Sequence, residues 1–160
     1  GVMLFALAES VNRVLGTAFQ EKRIRREYLA FIEGDPKSDR WDTELRIDKR
    51  GNKYGVATGA RGKEARTAFR VMKREQSRTL VLATPFTGRT HQIRIHLAAA
   101  GHPVVGDRTY GAKPDTRLYL HALRISMHHP TQKRAIIIST PVPPDFSIPP
   151  DFEAPSPDPF

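Results

Sequence analysis

The sequence predicts an α+β fold, in which helices flank a mixed, largely antiparallel central sheet. Many short stretches alternate apolar and polar residues, and only two stretches have helical spacing, near residues 10–22 and 90–100. Short strands with few helices between them favour antiparallel pairing. The chain has 160 residues, of which 39% are hydrophobic. This length and apolar content are sufficient for one domain with its own core.

The first half of the chain predicts a strand, a helix and several further strands. Residues 2–8 are apolar throughout and predict a buried strand. Ser10 is placed to cap a helix whose apolar residues include Val11 and Leu15. Further strands are predicted at residues 27–34, 45–48, 53–57, 65–72 and 78–82.

A polar stretch at residues 86–96 separates an apolar strand from a short helix. Thr90 is placed to cap this helix, Ile93, Leu97 and Ala100 share one of its faces, and Gly101 ends it. Two more strands are predicted at residues 118–125 and 135–138. Residues 147–160 form a proline-rich tail, for which we expect an extended or disordered chain.

The charge balance indicates a polyanionic partner. Lys and Arg number 26 against 17 Asp and Glu, which gives a net charge of +9. Nucleic acid is the commonest partner for such a surface. The sequence has no cysteine, no apolar run of membrane-spanning length and no visible secretory signal. We therefore expect a cytoplasmic protein that does not bind a membrane.

The six histidines do not predict a metal site. His91 and His96 are five residues apart, a spacing that puts them on different faces of a helix or of a strand. His128 and His129 are adjacent and have no acidic residue at metal-ligand spacing. We expect no bound metal.

Two basic segments are candidates for RNA phosphate contact. One, Lys22, Arg23, Arg25 and Arg26, follows the first helix and has an equally good interpretation as a solvated helix end. The other is a turn that contains Arg61 and Lys63.

Arg89 and Tyr28 are each open to two interpretations. Arg89 lies in the turn before the second helix, where its guanidinium would face a phosphate or a buried carboxylate. Tyr28 lies on a strand, where a half-buried tyrosine is common without any functional role.

Five motifs in order carry a resemblance to a known family. They are REYLA at residues 26–30 with Gly34, KEARTAFRV at 63–71, GRTHQIRIH at 88–96, GHPVVGD at 101–107 with Tyr110 and Gly111, and LYLHA at 118–122. Together they closely resemble the RluA-type pseudouridine synthases, over residues 1–146. The resemblance implies the fold of that family, with a cleft across the sheet.

The resemblance also implies an activity and residue roles. The activity is isomerisation of uridine to pseudouridine in structured RNA, either ribosomal or transfer RNA, without a cofactor. By motif match, Tyr28 stacks on the target base and Arg89 pairs with a catalytic aspartate, whereas Asp107 has a structural role in a loop. The residues expected to contact RNA are Lys22, Arg23, Arg25, Arg26, Arg61, Lys63, His91, Gln92, Arg94 and Leu120.

The chain departs from the family pattern at its first residue. The aspartate of the family lies in a His-Arg-Leu-Asp motif shortly before a Ser-Gly step, and Gly1 aligns with that glycine. We therefore expect residues 1–146 to be part of a catalytic domain whose aspartate lies upstream, and this chain alone to be inactive. A non-catalytic RNA-binding fragment of the same fold is the alternative. A basic scaffold without an RNA role is a third possibility.

Overall fold

A computed structural model gives the structure of the protein and describes residues 1–132, 134–146 and 148. The two helices are α1 (Glu9–Gln20) and α2 (Gln92–Ala99). The strands are β1 (Arg25–Glu33), β2 (Arg40–Arg50), β3 (Lys53–Val56), β4 (Lys63–Arg74), β5 (Arg78–Pro85), β6 (Leu120–His128) and β7 (Ala135–Ser139). Two short 3-10 helices lie at Arg108–Tyr110 and Pro144–Phe146.

The strands form a seven-stranded sheet in the order β3-β2-β4-β5-β1-β6-β7. Antiparallel pairing joins β1 with β5, β2 with β3 and with β4, β4 with β5, and β6 with β7. The predicted fold class, an α+β protein with a largely antiparallel sheet, is confirmed.

The contacts divide the chain into two compact units, and the first comprises residues 28–121. Its main core lies on the face of the sheet that α2 covers. Alternate residues of neighbouring strands supply this face, because successive side chains of a strand point to opposite sides. The cluster consists of Ala30, Ile32, Phe69, Val81, Ala83, Ile93, Leu97 and Val104.

The second unit comprises residues 1–27 and 122–160. In its described part, Leu15 and Ala18 of α1 pack against Ile24, Ile125 and Met127. This packing explains why the amphipathic pattern of the sequence forms a helix here. No helix in the described ranges is both long and apolar enough to cross a bilayer.

The prediction of a strand at residues 2–8 is wrong. This segment has no strand structure, although Val2 donates a backbone hydrogen bond of 2.8 Å to the Ala122 carbonyl. Met3, Phe5 and Leu7 are exposed. The apolar run predicted a strand buried on both faces. Only the alternate residues Val2, Leu4 and Ala6 pack against the cluster formed by α1 and its neighbours.

The predicted N-caps of both helices are also wrong. The N-cap residues are Ala8 and His91, and neither makes a side-chain capping hydrogen bond. His91 has a φ of 55° in the left-handed region, a conformation that non-glycine residues adopt rarely. The predicted stop at Gly101 is confirmed, since its φ of 83° ends α2. Of the predicted apolar face of α2, only Ala100 is exposed.

The predicted tail at residues 147–160 lies, apart from residue 148, outside the described residues. The prediction of a single domain over residues 1–146 stays a prediction.

Candidate functional site

The turn between β5 and α2 holds the central polar stretch on the edge of β4. The Phe86 amide donates to the Arg66 carbonyl at 2.9 Å, and the Arg66 amide donates to Thr87 Oγ1 at 3.0 Å. The Gln92 amide donates to the Arg89 carbonyl at 3.1 Å, which closes the turn as the helix begins. The conformation of the turn therefore depends on β4 as well as on its own residues.

Gln92 is buried beneath this turn and uses its whole side-chain amide. Its Oε1 accepts from Thr87 Oγ1 at 2.6 Å and from the Arg89 backbone amide at 3.0 Å. Its Nε2 donates to the Arg66 carbonyl and to Thr67 Oγ1, both at 2.9 Å. Only 4% of the residue is exposed. The expected RNA contact of Gln92 is therefore not supported, because protein groups already use all four of its hydrogen-bonding positions.

Arg89 is half-buried and lines a basic cavity. Its Nε donates to the Glu64 carbonyl at 2.9 Å. In the described part of the chain, no carboxylate lies within ion-pair distance of its guanidinium. The cavity has a volume of about 430 Å³. It is lined by Ile47, Asp48, Lys49, Tyr54, Gly62, Lys63, Gly88, Arg89 and Thr90.

The cavity brings together residues that the sequence separated. Lys63 and Arg89, both predicted site residues, share its lining, and Lys49 adds a third cation. Sequence reasoning missed Lys49 and Tyr54, because they lie on β2 and β3 and belong to none of the matched motifs. The signal that identifies them is the pairing of β2 with β3 and β4, which places them beside Lys63.

Tyr28 and Leu120 pack on the face of the sheet that α2 covers. Tyr28 lies opposite Ala83 in the register of β1 with β5, and it is half-buried. Both Tyr28 and Leu120 pack against the main core cluster, which includes Ile93 of α2. Neither belongs to the residues that line the Arg89 cavity. The expectation that Tyr28, Arg89 and Leu120 line a single concave surface stays a prediction.

Arg94 has a structural contact rather than an exposed guanidinium. Its Nε and Nη2 each donate to a different oxygen of Asp107, both at 2.6 Å, and the Asp107 side chain is fully buried. This hydrogen bonding to Asp107 raises the pKa of Arg94. The expected RNA contact of Arg94 is therefore not supported, whereas the structural role expected for Asp107 is confirmed.

His91 lies next to this ion pair and remains exposed. Its Nδ1 is 3.0 Å from Tyr110 Oη, which itself donates to the Tyr54 carbonyl at 3.0 Å. Desolvation of the imidazole and the nearby charge of Arg94 lower the pKa of His91. The lowered pKa favours the uncharged ring, which can contact RNA through a hydrogen bond.

The basic segment after α1 is only partly available to a ligand. Lys22 and Arg23 are exposed, but Arg23 pairs with Glu21. Arg25 and Arg26 are half-buried. The Arg26 guanidinium lies 5.5 Å from the centre of the Phe19 ring, a cation–π distance.

A buried ion pair within the matched REYLA motif was missed from the sequence. Glu27 is 2% exposed and accepts a hydrogen bond of 2.5 Å from Nε of Arg124. Arg25 lies 3.4 Å from the other oxygen of this carboxylate. A buried carboxylate next to Tyr28 is thus paired with two arginines inside the protein. Only the fold brings Arg124 to Glu27, since they are far apart in sequence.

Among the described residues, no group of three or more His, Asp or Glu side chains could hold a metal ion.

The fold and the site together define an α+β protein with a sheet-borne tyrosine and an arginine in a basic cavity. Comparison with known proteins identifies the family, because residues 1–99 match the family described as RNA pseudouridylate synthase. The chain belongs to this family.

Two relatives show the extent of the similarity. Ribosomal large subunit pseudouridine synthase C of Buchnera aphidicola subsp. Baizongia pistaciae is 36% identical over 155 residues, which cover 89% of this chain and 49% of the relative. Dual-specificity RNA pseudouridine synthase RluA of Pasteurella multocida is 34% identical over 149 residues, which cover 88% and 68%. The chain spans about half the length of the synthase C relative.

Solved structures agree with the family assignment. Human RNA pseudouridylate synthase domain containing 1 has a TM-score of 0.73 and 30% identity, covering 86% of this chain and 62% of that one. Human RNA pseudouridylate synthase domain containing 4 has a TM-score of 0.76 at 20% identity, and this second likeness supports the fold alone.

Proposed function

We propose that this chain is the larger part of the catalytic domain of an RNA pseudouridine synthase. The full-length protein converts uridine to pseudouridine in structured RNA in the cytoplasm and uses no cofactor. The name of the synthase C relative mentions the ribosomal large subunit, so ribosomal RNA is the first substrate to test and transfer RNA the second. One observation carries the proposal. In a chain of this family, Arg89 is held by a hydrogen-bonded turn and lines a basic cavity.

The reaction is an isomerisation, so uridine and pseudouridine contain the same atoms. The C1′–N1 bond of uridine breaks, the base turns, and a C1′–C5 bond forms. The C5 proton then leaves to solvent, and N1 gains a proton. In this mechanism an aspartate upstream of Gly1 attacks the nucleoside, and Arg89 is the ion-pair partner of that aspartate. A carboxylate in a partly buried site remains ionised only with such a partner.

The proposal gives Tyr28 the role of stacking on the target base. A base turned out of its helix needs an aromatic or apolar surface beneath it, and the Tyr28 ring is half-buried on the α2 face of the sheet. Lys49 and Lys63 beside Arg89 suit neighbouring phosphates, since exposed cations contribute affinity that depends little on base sequence.

The test compares Arg89→Ala with wild type in the full-length protein. Release of the C5 hydrogen from RNA measures turnover, and filter binding measures RNA affinity. We expect turnover to fall at least roughly a hundredfold, because the carboxylate loses the group that keeps it charged and oriented. RNA affinity should change much less, since one cation among many is lost.

Arg70→Ala is the matched control. Arg70 is exposed on β4, and strand alternation directs it away from the face that carries Phe69. Its loss removes the same charge and should leave turnover unchanged. RNA binding without turnover by the intact full-length protein would instead support the non-catalytic alternative.

A further inference from the structure

Gln92 connects the Arg89 turn to β4 through a fully used amide. Its carbonyl oxygen accepts from Thr87 Oγ1 and from the Arg89 amide, and its nitrogen donates to Thr67 Oγ1 and the Arg66 carbonyl. An amide is the side-chain group that provides acceptors on one atom and donors on the other. A carboxylate would lose both donors, and an aliphatic side chain would lose all four contacts.

The Arg89 backbone has few other fixed contacts. Its carbonyl accepts from the Gln92 backbone amide at 3.1 Å, and its side-chain Nε reaches the Glu64 carbonyl. Without the Gln92 side chain, the Arg89 amide would lose its acceptor, and besides these two contacts the turn would depend on those of Phe86 and Thr87 with Arg66. The direction in which the guanidinium points would then be less well defined.

We propose that Gln92 is a positioning residue, which orients Arg89 by fixing its backbone amide and the preceding Thr87 to β4. This inference rests on the proposed function, in which Arg89 pairs with the catalytic carboxylate. Displacement of a reacting group by about 1 Å can lower a rate by roughly a hundredfold. Gln92 itself is buried, so this role requires no contact between its side chain and the RNA.

The experiment uses the full-length protein with enzyme in excess over a uridine-containing RNA, so that one turnover is measured. Gln92→Met keeps the length and approximate volume of the side chain and removes its hydrogen bonds. We expect the single-turnover rate to fall roughly tenfold to a hundredfold, with RNA affinity changed less than about threefold. Thr79→Val is the structural control, since Thr79 is also fully buried on β5 and donates to the Gly34 carbonyl at 2.8 Å. It should lower thermal stability and leave the rate of the folded protein unchanged.

A double mutant separates positioning from general destabilisation. If Gln92 acts through Arg89, Gln92→Met should lower the rate by less than about twofold in an Arg89→Ala background, because the group that it orients is absent. Multiplying effects in the double mutant would overturn the positioning role while the role of Arg89 stands. Full turnover by Arg89→Ala would overturn the proposed role of Arg89 and the positioning role together, whereas absence of turnover in the wild-type protein would overturn the proposed function.

Thr87→Val keeps the test decisive if Gln92→Met fails to fold. Thr87 is half-buried, and the substitution removes its contacts with Gln92 Oε1 and the Arg66 amide. The rate should fall less than in Gln92→Met, and the effect should again vanish in the Arg89→Ala background. A Thr87→Val rate equal to wild type would count against the turn as the means by which Arg89 is oriented.

Discussion

At the scale of single residues, two substitutions of Tyr28 separate the contribution of its ring from that of its hydroxyl group. Stacking of a base on an aromatic ring contributes roughly 1–3 kcal/mol. In the full-length protein, Tyr28→Phe keeps the ring and should therefore keep RNA affinity within about twofold, whereas Tyr28→Ala loses the surface for the base. Turnover by Tyr28→Phe then reports on the hydroxyl group alone.

The measurement is C5 hydrogen release together with RNA affinity for both variants. Equal affinity and equal turnover of Tyr28→Ala and wild type would exclude Tyr28 from the site. Tyr54→Phe provides a comparison, since Tyr54 lines the Arg89 cavity and contributes only its carbonyl oxygen to the contact with Tyr110.

His96 is a second residue whose surroundings lead to a measurable effect. It is fully buried in α2, and neither ring nitrogen has a hydrogen-bond partner among the described residues. Burial lowers the pKa of His96 to about 4. The unfolded chain binds a proton below about pH 6.5, whereas the folded protein does not until its lower pKa is reached. The free energy of unfolding should therefore decrease as the pH falls from about 6.5 toward 4.

Urea unfolding at about pH 7.5 and about pH 5 tests this effect, which amounts to at most about 1.4 kcal/mol per pH unit. His96→Leu should lose less stability between the two pH values than wild type, because it has no group to protonate. His128→Gln removes an exposed histidine and should show the wild-type difference. The same pH dependence in His96→Leu and wild type would contradict the assignment.

At the scale of elements, the matched motif GHPVVGD has a steric requirement. Gly106 has a φ of 78°, and a Cβ atom there would lie 1.9 Å from the Arg117 carbonyl oxygen. Gly111 also has a positive φ, of 94°, but a Cβ atom there would meet nothing within 4 Å. Gly106→Ala should thus combine backbone strain with a clash, whereas Gly111→Ala should show the strain alone.

Thermal unfolding of the two alanine variants in the full-length protein separates these costs. Gly111→Ala should cost about 1 kcal/mol, and Gly106→Ala should cost several times more or prevent folding. Equal melting temperatures for the two variants would show that the loop moves away from Arg117 at little cost.

Elements whose apolar residues follow a strand or helix spacing and are buried agree with the prediction, whereas the apolar run at residues 2–8 and the elements defined by their partners do not. β5 and α2 follow from residues 80–83 and from the spacing of Ile93 and Leu97. β2 runs over Arg40–Arg50, much longer than the predicted 45–48, because its polar first half pairs with β4. The left-handed conformation of His91 has no signal in the sequence, since it depends on contacts of the finished turn.

The site residues likewise divide into those that a sequence motif identifies and those whose contacts depend on distant parts of the chain. Tyr28 and Arg89 came from motifs that resemble a family, whereas the internal contacts of Arg94 and Gln92 required the fold. A polar residue in a motif rich in polar side chains can bond either to a ligand or to another group of the protein. The side chains of Asp107 and Thr67, which are distant in sequence, decide between the two for Arg94 and Gln92.

At the scale of the whole molecule, the net charge of +9 predicts salt-dependent RNA binding. Each phosphate contact releases condensed counterions, so the logarithm of affinity falls linearly with the logarithm of salt concentration. The exposed Lys63 shares the Arg89 cavity, whereas the exposed Lys37 lies in the loop after β1, between Asp35 and Asp39. Lys63→Gln should therefore reduce the steepness of the salt dependence by roughly one unit, and Lys37→Gln should leave it unchanged.

The two lysine variants carry the same change in side chain and charge, so only the location of the lysine differs between them. Titrations of the full-length protein with ribosomal and transfer RNA fragments over a series of salt concentrations give the two slopes. A phosphate contact should weaken both RNAs about equally. Equal slopes for Lys63→Gln and Lys37→Gln would mean that RNA affinity depends on the net charge of the protein and not on a phosphate contact of Lys63 in the Arg89 cavity. The Arg89 cavity would then no longer be the place where the RNA backbone binds, and the RNA-contacting surface would have to be sought among the exposed cations after α1.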